Sequence, residues 1–204
     1  GRSIALDASG NVYTTGRFIG TVDFDPNTGT TNLTSAGASD IYIQKLDATG
    51  NLVWAKNMGG TGTDRGQSIS VDASENVYST GSFMGIADFD PNAGTTNLTA
   101  AASNDNNIYI QKLDATGSMV WAKNMGGTGY DEGNSITIDA AGNVYTTGVF
   151  VNTADFDPNS GTTNLTSAGS GDIFIQKLTE NPLSIQNPNF LTETKLYPNP
   201  ASSQ

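Results

Sequence analysis

Hydrophobic and polar positions alternate in short runs along the chain, and the same order of runs returns three times. "SIALDASGNVYTTGRF" at 3–18 sets two β-prone runs on either side of Asp7, Gly10 and Asn11. "DIYIQKLDATGNLVWAKNMGG" at 40–60 does the same around Asp47, Gly50 and Asn51. Asp bonds the backbone two residues on, while Gly and Asn tolerate positive φ, so each stretch predicts strand, turn, strand. Gly1-Arg2-Ser3-Ile4 aligns with Gly66-Gln67-Ser68-Ile69 and with Gly133-Asn134-Ser135-Ile136, at offsets of 65 and 67 residues. The two extra residues fall at one point, "AAASNDNNIYI" at 100–110 against "SAGASDIYI" at 35–43, which marks a surface loop between fixed strands.

Two hairpins per repeat give four principal strands, joined by a longer connection that carries Asp-Phe-Asp-Pro. "IYI" at 41–43 and "LVWA" at 52–55 are continuous apolar runs, which suit strands covered on both faces. A four-stranded antiparallel sheet stacked between two like it meets that requirement. The expected fold is therefore all-β, with three four-stranded antiparallel blades of a β-propeller. Closed propellers have about four blades or more, so three are expected to form an open arc, a fragment of a larger propeller. The predicted divisions are 1–64, 65–131 and an incomplete third repeat at 132–179, then a polar linker at 180–194 and a distinct tail at 195–204. Trp54 and Trp121 hold matching positions and are expected to pack between neighbouring blades. "GGTGTD" at 59–64 reads as the crossover between blades.

Composition narrows the chemistry. Nine basic against 20 acidic residues leave a net charge of −11, so duplex nucleic acid is not an expected partner. No stretch approaches the roughly 20 apolar residues of a membrane-spanning helix, and no membrane insertion is expected. Neither cysteine nor histidine is present. Disulfides, thiolate chemistry and a Ser-His-Asp triad are thereby excluded from these residues.

"SIALDASGNVYTTGRFIGTVDFD" with "DIYIQKLDATGNLVWAKNMGG" resembles the SBBP family of bacterial β-propeller repeats over roughly residues 1–178. The resemblance implies a propeller but no single activity. Lys195, Leu196, Tyr197, Pro198, Asn199, Pro200 and Ala201 resemble the opening of the C-terminal sorting domain of the type IX secretion system of Bacteroidota. That second resemblance implies export, a secreted or outer-surface location, and the secretion machinery as one partner.

The motif with most chemistry is "DFDPN". Asp23, Asp25 and Asn27 stand at alternate positions, as do Asp88, Asp90, Asn92 and Asp155, Asp157, Asn159, a pattern that could supply oxygens to Ca²⁺. Gly29 falls at position 7 and Thr34 at position 12, so the loop is not an EF-hand. Asp-Pro-Asn-x-Gly is also a good turn sequence, with Phe24 as an anchor, and the turn is the preferred reading. No cofactor is expected, with Ca²⁺ the alternative. Lys45, Lys112 and Lys177 are expected to face solvent or an Asp. Arg17, Arg65, Tyr130 and Glu132 depart from the repeat and read as scattered single changes. A non-catalytic scaffold or interaction module, binding an extracellular protein or glycan, is the expected function. The alternatives are a carboxylate-based glycan-active enzyme and a Ca²⁺-binding adhesin-like repeat.

Overall fold

A computed structural model describes residues 1–179 in full, and Glu180 and 191–196 by backbone alone. Strands β1 to β6 span Ser3–Leu6, Val12–Phe18, Thr21–Asp23, Asn32–Thr34, Asp40–Leu46 and Leu52–Gly60. Strands β7 to β12 span Arg65–Val71, Val77–Met84, Ile86–Asp88, Asn97–Thr99, Asn106–Leu113 and Met119–Gly127. Strands β13 to β17 span Glu132–Ile138, Val144–Phe150, Thr153–Asp155, Asn164–Thr166 and Asp172–Glu180, and β18 is Leu191–Leu196. The described residues contain no helix, and the strands pair antiparallel. The fold is all-β and propeller-like.

Each repeat contributes one meander, β1-β2-β5-β6 or β7-β8-β11-β12, while the third runs β13-β14-β17-β18. The turns close as the sequence predicts. Asp7 Oδ1 accepts the amides of Ser9 and Asn11, Oδ2 accepts the Asn11 amide group and the Tyr13 hydroxyl, and Asp72 and Asp139 repeat the set. Gly10 and Gly142 sit at φ +81° and +82° there, and Glu75 takes the same place at φ 62°.

The apolar cores lie between meanders. Ile41, Ile43 and Met58 of the first pack with Ile69, Phe83 and Tyr109 of the second. Ile108, Ile110 and Met125 of the second pack with Ile136, Val144 and Phe174 of the third. Tyr109 thus faces backwards while Ile108 and Ile110 face forwards, which is why this strand reads as apolar on both sides. Trp54 lies in the first junction, edge-on to Tyr13, and donates its indole N–H to Ala115 O of the second repeat at 3.2 Å.

The connecting hairpins do not stay with their own meander. The β9-β10 hairpin adds to β6, with Gly59 opposite Asp88 and Gly60 opposite Ala87. The β15-β16 hairpin adds to β12 through Gly126 and Gly127. Two six-stranded sheets result, each crossing a repeat boundary. The paired glycines allow this approach, since a Cβ on Gly60 or Gly127 would collide with the carbonyl of Ile86 or Thr153.

The third meander differs at its outer edge. Leu191–Leu196, in a stretch expected to be linker and tail, pairs with β17 and takes the fourth place in the sheet. Gln176 lies opposite Leu196 and Lys177 opposite Lys195. The remainder of the sorting-domain resemblance, at 197–201, lies outside the described residues.

Candidate functional site

The three Asp-Phe-Asp-Pro-Asn loops are built alike. Asp23 Oδ1 accepts the amides of Asp25 and Thr31 at 3.0 and 2.8 Å, which hold its carboxyl below the usual carboxylate range. Asp88 and Asp155 receive the same two bonds. Asp25, Asp90 and Asp157 each accept, through Oδ1, the amide of the Asn two residues on, at 2.9 Å. Their Oδ2 atoms lie where a Cβ on Gly29, Gly94 or Gly161 would stand, so the glycine is needed for contact as well as for bending.

Each loop is then clamped onto its own meander. Phe89 stacks edge-on to Phe83 and tilted on Tyr109, and Gln111 donates to Phe89 O at 2.6 Å. Phe24 with Gln44 and Phe156 with Gln176 repeat the arrangement. A second clamp reaches back to the preceding repeat. Lys56 donates to Asn92 Oδ1 at 2.8 Å, and Lys123 to Asn159 Oδ1 at 3.2 Å. Asn27 instead donates within its own repeat, to Gly50 O and Asn51 Oδ1. The motif latches one repeat to the one before it. The glutamines of this latch recur in all three copies and the lysines in the first two, and that recurrence was the available signal.

Two polar clefts open at the latches. One is lined by Asp40, Asn57, Asp88, Asp90 and Asn92, the other by Asn107, Asn124, Asp155, Asp157 and Asn159. They correspond position by position except that Asp40 becomes Asn107. Among the described residues no group of three His, Cys, Asp or Glu is placed to hold a metal ion. The ammonium of Lys56 or Lys123 supplies positive charge beside the second and third loops.

Below the first cleft lies a pair of buried carboxyls. Asp64 is fully buried, accepting from Gly60 N at 2.7 Å and Met84 N at 3.1 Å. Burial pushes it up to about 6, with the two amides pulling against that and nearby Asp40 adding to it. Asp40, 1% exposed, is also raised by burial, and its Oδ1 has no hydrogen-bond partner. The space between them is held open by Gly59, whose Cβ would stand 2.8 Å from Asp64 Oδ2 and 2.9 Å from Asp40 Oδ1. At the next junction the pair is Asn107 and Asp131, around Gly126.

One of the recurring lysines departs from expectation. Lys45 is buried rather than solvent-facing, lies 5.1 Å from the centre of the Tyr13 ring, and pairs with Glu75 rather than an Asp at 2.7 Å. Lys112 and Lys177 stand over Tyr78 and Tyr145 in the same way. The repeat-breaking residues are not all scattered either. Tyr130 donates to Glu132 Oε2 at 2.6 Å, and Glu132 Oε1 accepts Gln67 Nε2 at 2.7 Å and the Ser82 hydroxyl at 3.3 Å.

Comparison with known proteins agrees with this architecture. Residues 120–149 match the SBBP β-propeller repeat, a span covering most of β12, then β13 and nearly all of β14. The match therefore straddles a junction between meanders. Over 171 residues, 74% of the chain, it is 26% identical to an uncharacterized WD repeat-containing protein of Acanthamoeba polyphaga mimivirus. Over 112 residues, 55% of the chain, it is 26% identical to the regulatory protein FlaEY of Caulobacter vibrioides. Each alignment covers 12% of the relative's length. No helix among the described residues is long and apolar enough to cross a membrane.

Proposed function

We propose that the chain is a non-catalytic interaction or scaffold module, three four-stranded blades of a β-propeller arranged as an open arc within a larger assembly of blades. The observation that carries this is how the repeated carboxylates are spent. Asp7, Asp23, Asp47 and their counterparts each accept amides of their own turn, so no repeated pair is left as a free acid and base. Catalysis needs different groups converging on one atom. Similarity to an SBBP repeat and to a WD repeat-containing protein supports the same reading.

One observation favours the enzymatic alternative: Asp64, raised to about 6, has the proton affinity of a general acid. Its complete burial and its two amide bonds point to a structural role. Assays against a panel of polysaccharides are expected to show no turnover. Turnover that disappears in a folded Asp64→Asn variant would establish an enzyme instead. Export is proposed from the tail sequence at 195–201 alone, and recovery of the protein from the medium of a host with type IX secretion, lost on deleting that tail, is the check.

A further inference from the structure

The chain's arginines are Arg2, Arg17 and Arg65, in a protein of net charge −11. Among the described residues the ion pair formed is Lys45 with Glu75, and no arginine is in one. All three depart from their repeat counterparts. Arg2 corresponds to Gln67, Arg17 to Ser82 and Arg65 to Glu132. Those counterparts touch one another at the second junction, where Glu132 accepts from Gln67 and from Ser82. The two junctions are built alike. Ile69 N–H donates to Ser3 Oγ at 3.3 Å as Ile136 N–H donates to Ser68 Oγ at 3.2 Å. Thr15 Oγ1 abuts Gly66 as Thr80 Oγ1 abuts Gly133. Arg17, two residues beyond Thr15 on the same face of β2, is thereby brought to the start of β7, beside Arg65.

We infer that Arg2, Arg17 and Arg65 form a binding site for an oxyanion, a carboxylate, sulfate or phosphate group carried by the module's ligand. At the second junction one carboxylate meets two neutral donors. At the first, Arg2, Arg17 and Arg65 hold the corresponding three positions, none of them in an ion pair among the described residues, with Tyr130 and the Glu132 carboxylate it is bonded to alongside. Like charges so gathered repel, and an anion converts that repulsion into attraction. A guanidinium fork matches the paired oxygens of such groups, and hydrogen bonds of this charge-assisted kind are about twice as strong as neutral ones. Arg2 and Arg17 are exposed and Arg65 half-buried, so the donors are reachable. Tyr130 borders the site. Burial and the bond to Glu132 push its phenol up to about 12, while Arg65 and Arg2 pull the other way.

The inference rests on the binding-module reading and gives that module a ligand chemistry. The test is calorimetric titration of the 204-residue chain with inorganic sulfate, inorganic phosphate and glucuronate, at constant ionic strength in chloride. Three variants take the residues that the chain already tolerates at the equivalent positions: Arg2→Gln, Arg17→Ser and Arg65→Glu. Binding by at least one probe is expected, weakened about tenfold or more by Arg2→Gln and Arg17→Ser and abolished by Arg65→Glu. A thermal melt of each variant verifies folding. No binding by any probe, or binding unchanged in all three variants, overturns the site and leaves the module reading intact. Hydrolysis of an anionic polysaccharide with the arginine dependence retained would overturn the module reading and keep the site.

Discussion

Asp40 and Asp64 set the pH response of the first junction. Burial raises both above the ordinary value, to about 6 for Asp64, so folding favours their protonated forms. That contribution is complete below about pH 4 and is lost as the pH rises through about 6, on the order of 3 kcal/mol for Asp64. The turn aspartates act oppositely. The side chain and amide of Asn143 hold Asp139 down at about 2, and Asn51 lowers Asp47 in the same way. Their contribution is present above about pH 4 and lost as the pH falls through their lowered values. The melting temperature is therefore expected to peak between about pH 4 and 6. Asp40→Asn, which copies Asn107, is expected to raise it at pH 8 and to raise it progressively less as the pH falls towards about 4, as followed by circular dichroism. At Glu75 two effects compete. Glu75→Gln keeps φ 62° and loses the ion pair to buried Lys45, an expected loss of about 1 kcal/mol. Glu75→Gly loses the same pair but relieves a backbone conformation that favours glycine by about 1 kcal/mol. It is expected to be the milder change in denaturant titration.

At the scale of elements the hairpins matter more than their three-residue strands suggest. The second and third are bonded to the outer strand of the preceding meander and anchored by one phenylalanine in their own, while β3 and β4 pair only with each other among the described residues. A methyl group on Gly127 would meet Thr153 O, so Gly127→Ala is expected to cost about 1–3 kcal/mol. Hydrogen exchange should speed up in β15 and β16 before it does in β13 or β14. Equal acceleration of all four strands would show that the hairpin is not a separate latch. The sequence made both turns and the Phe anchor legible, because Asp, Gly, Asn and Pro act within a few residues of themselves. It did not reveal which sheet the hairpin joins, since that depends on a glycine pair about 28 residues earlier.

Over the whole molecule the ends are unlike the junctions. Ile4 is 66% exposed where Ile69 and Ile136 are 5% exposed. Ile173 and Ile175 are 47% and 43% exposed where Ile41, Ile43, Ile108 and Ile110 are buried completely. The first face matches what the second face accepts at each internal junction, so head-to-tail docking of a second copy is expected. Sedimentation equilibrium should show species above 21.2 kDa, lost in Ile4→Asp and in Ile175→Asp and restored on mixing the two variants. A monomer at every concentration would contradict this. Millimolar Ca²⁺ is expected to leave the melting temperature where a chelator leaves it. A clear rise with Ca²⁺ would return the Asp-Phe-Asp-Pro-Asn loops to the metal reading.

By itself the sequence determined the strands, their turns, the three-fold repetition and the apolar runs that demand cover on both faces. These follow from local backbone preference and from a periodicity that any neighbouring sheet satisfies. Only the tertiary structure decided which groups meet. It buried Asp40 beside Asp64, set Lys56 against Asn92, placed β18 in the third sheet, and aligned the two junctions so that single changes in separate repeats become one cluster. Residues about 65 apart become neighbours through stacking, and stacking depends on geometry that no short window of sequence contains.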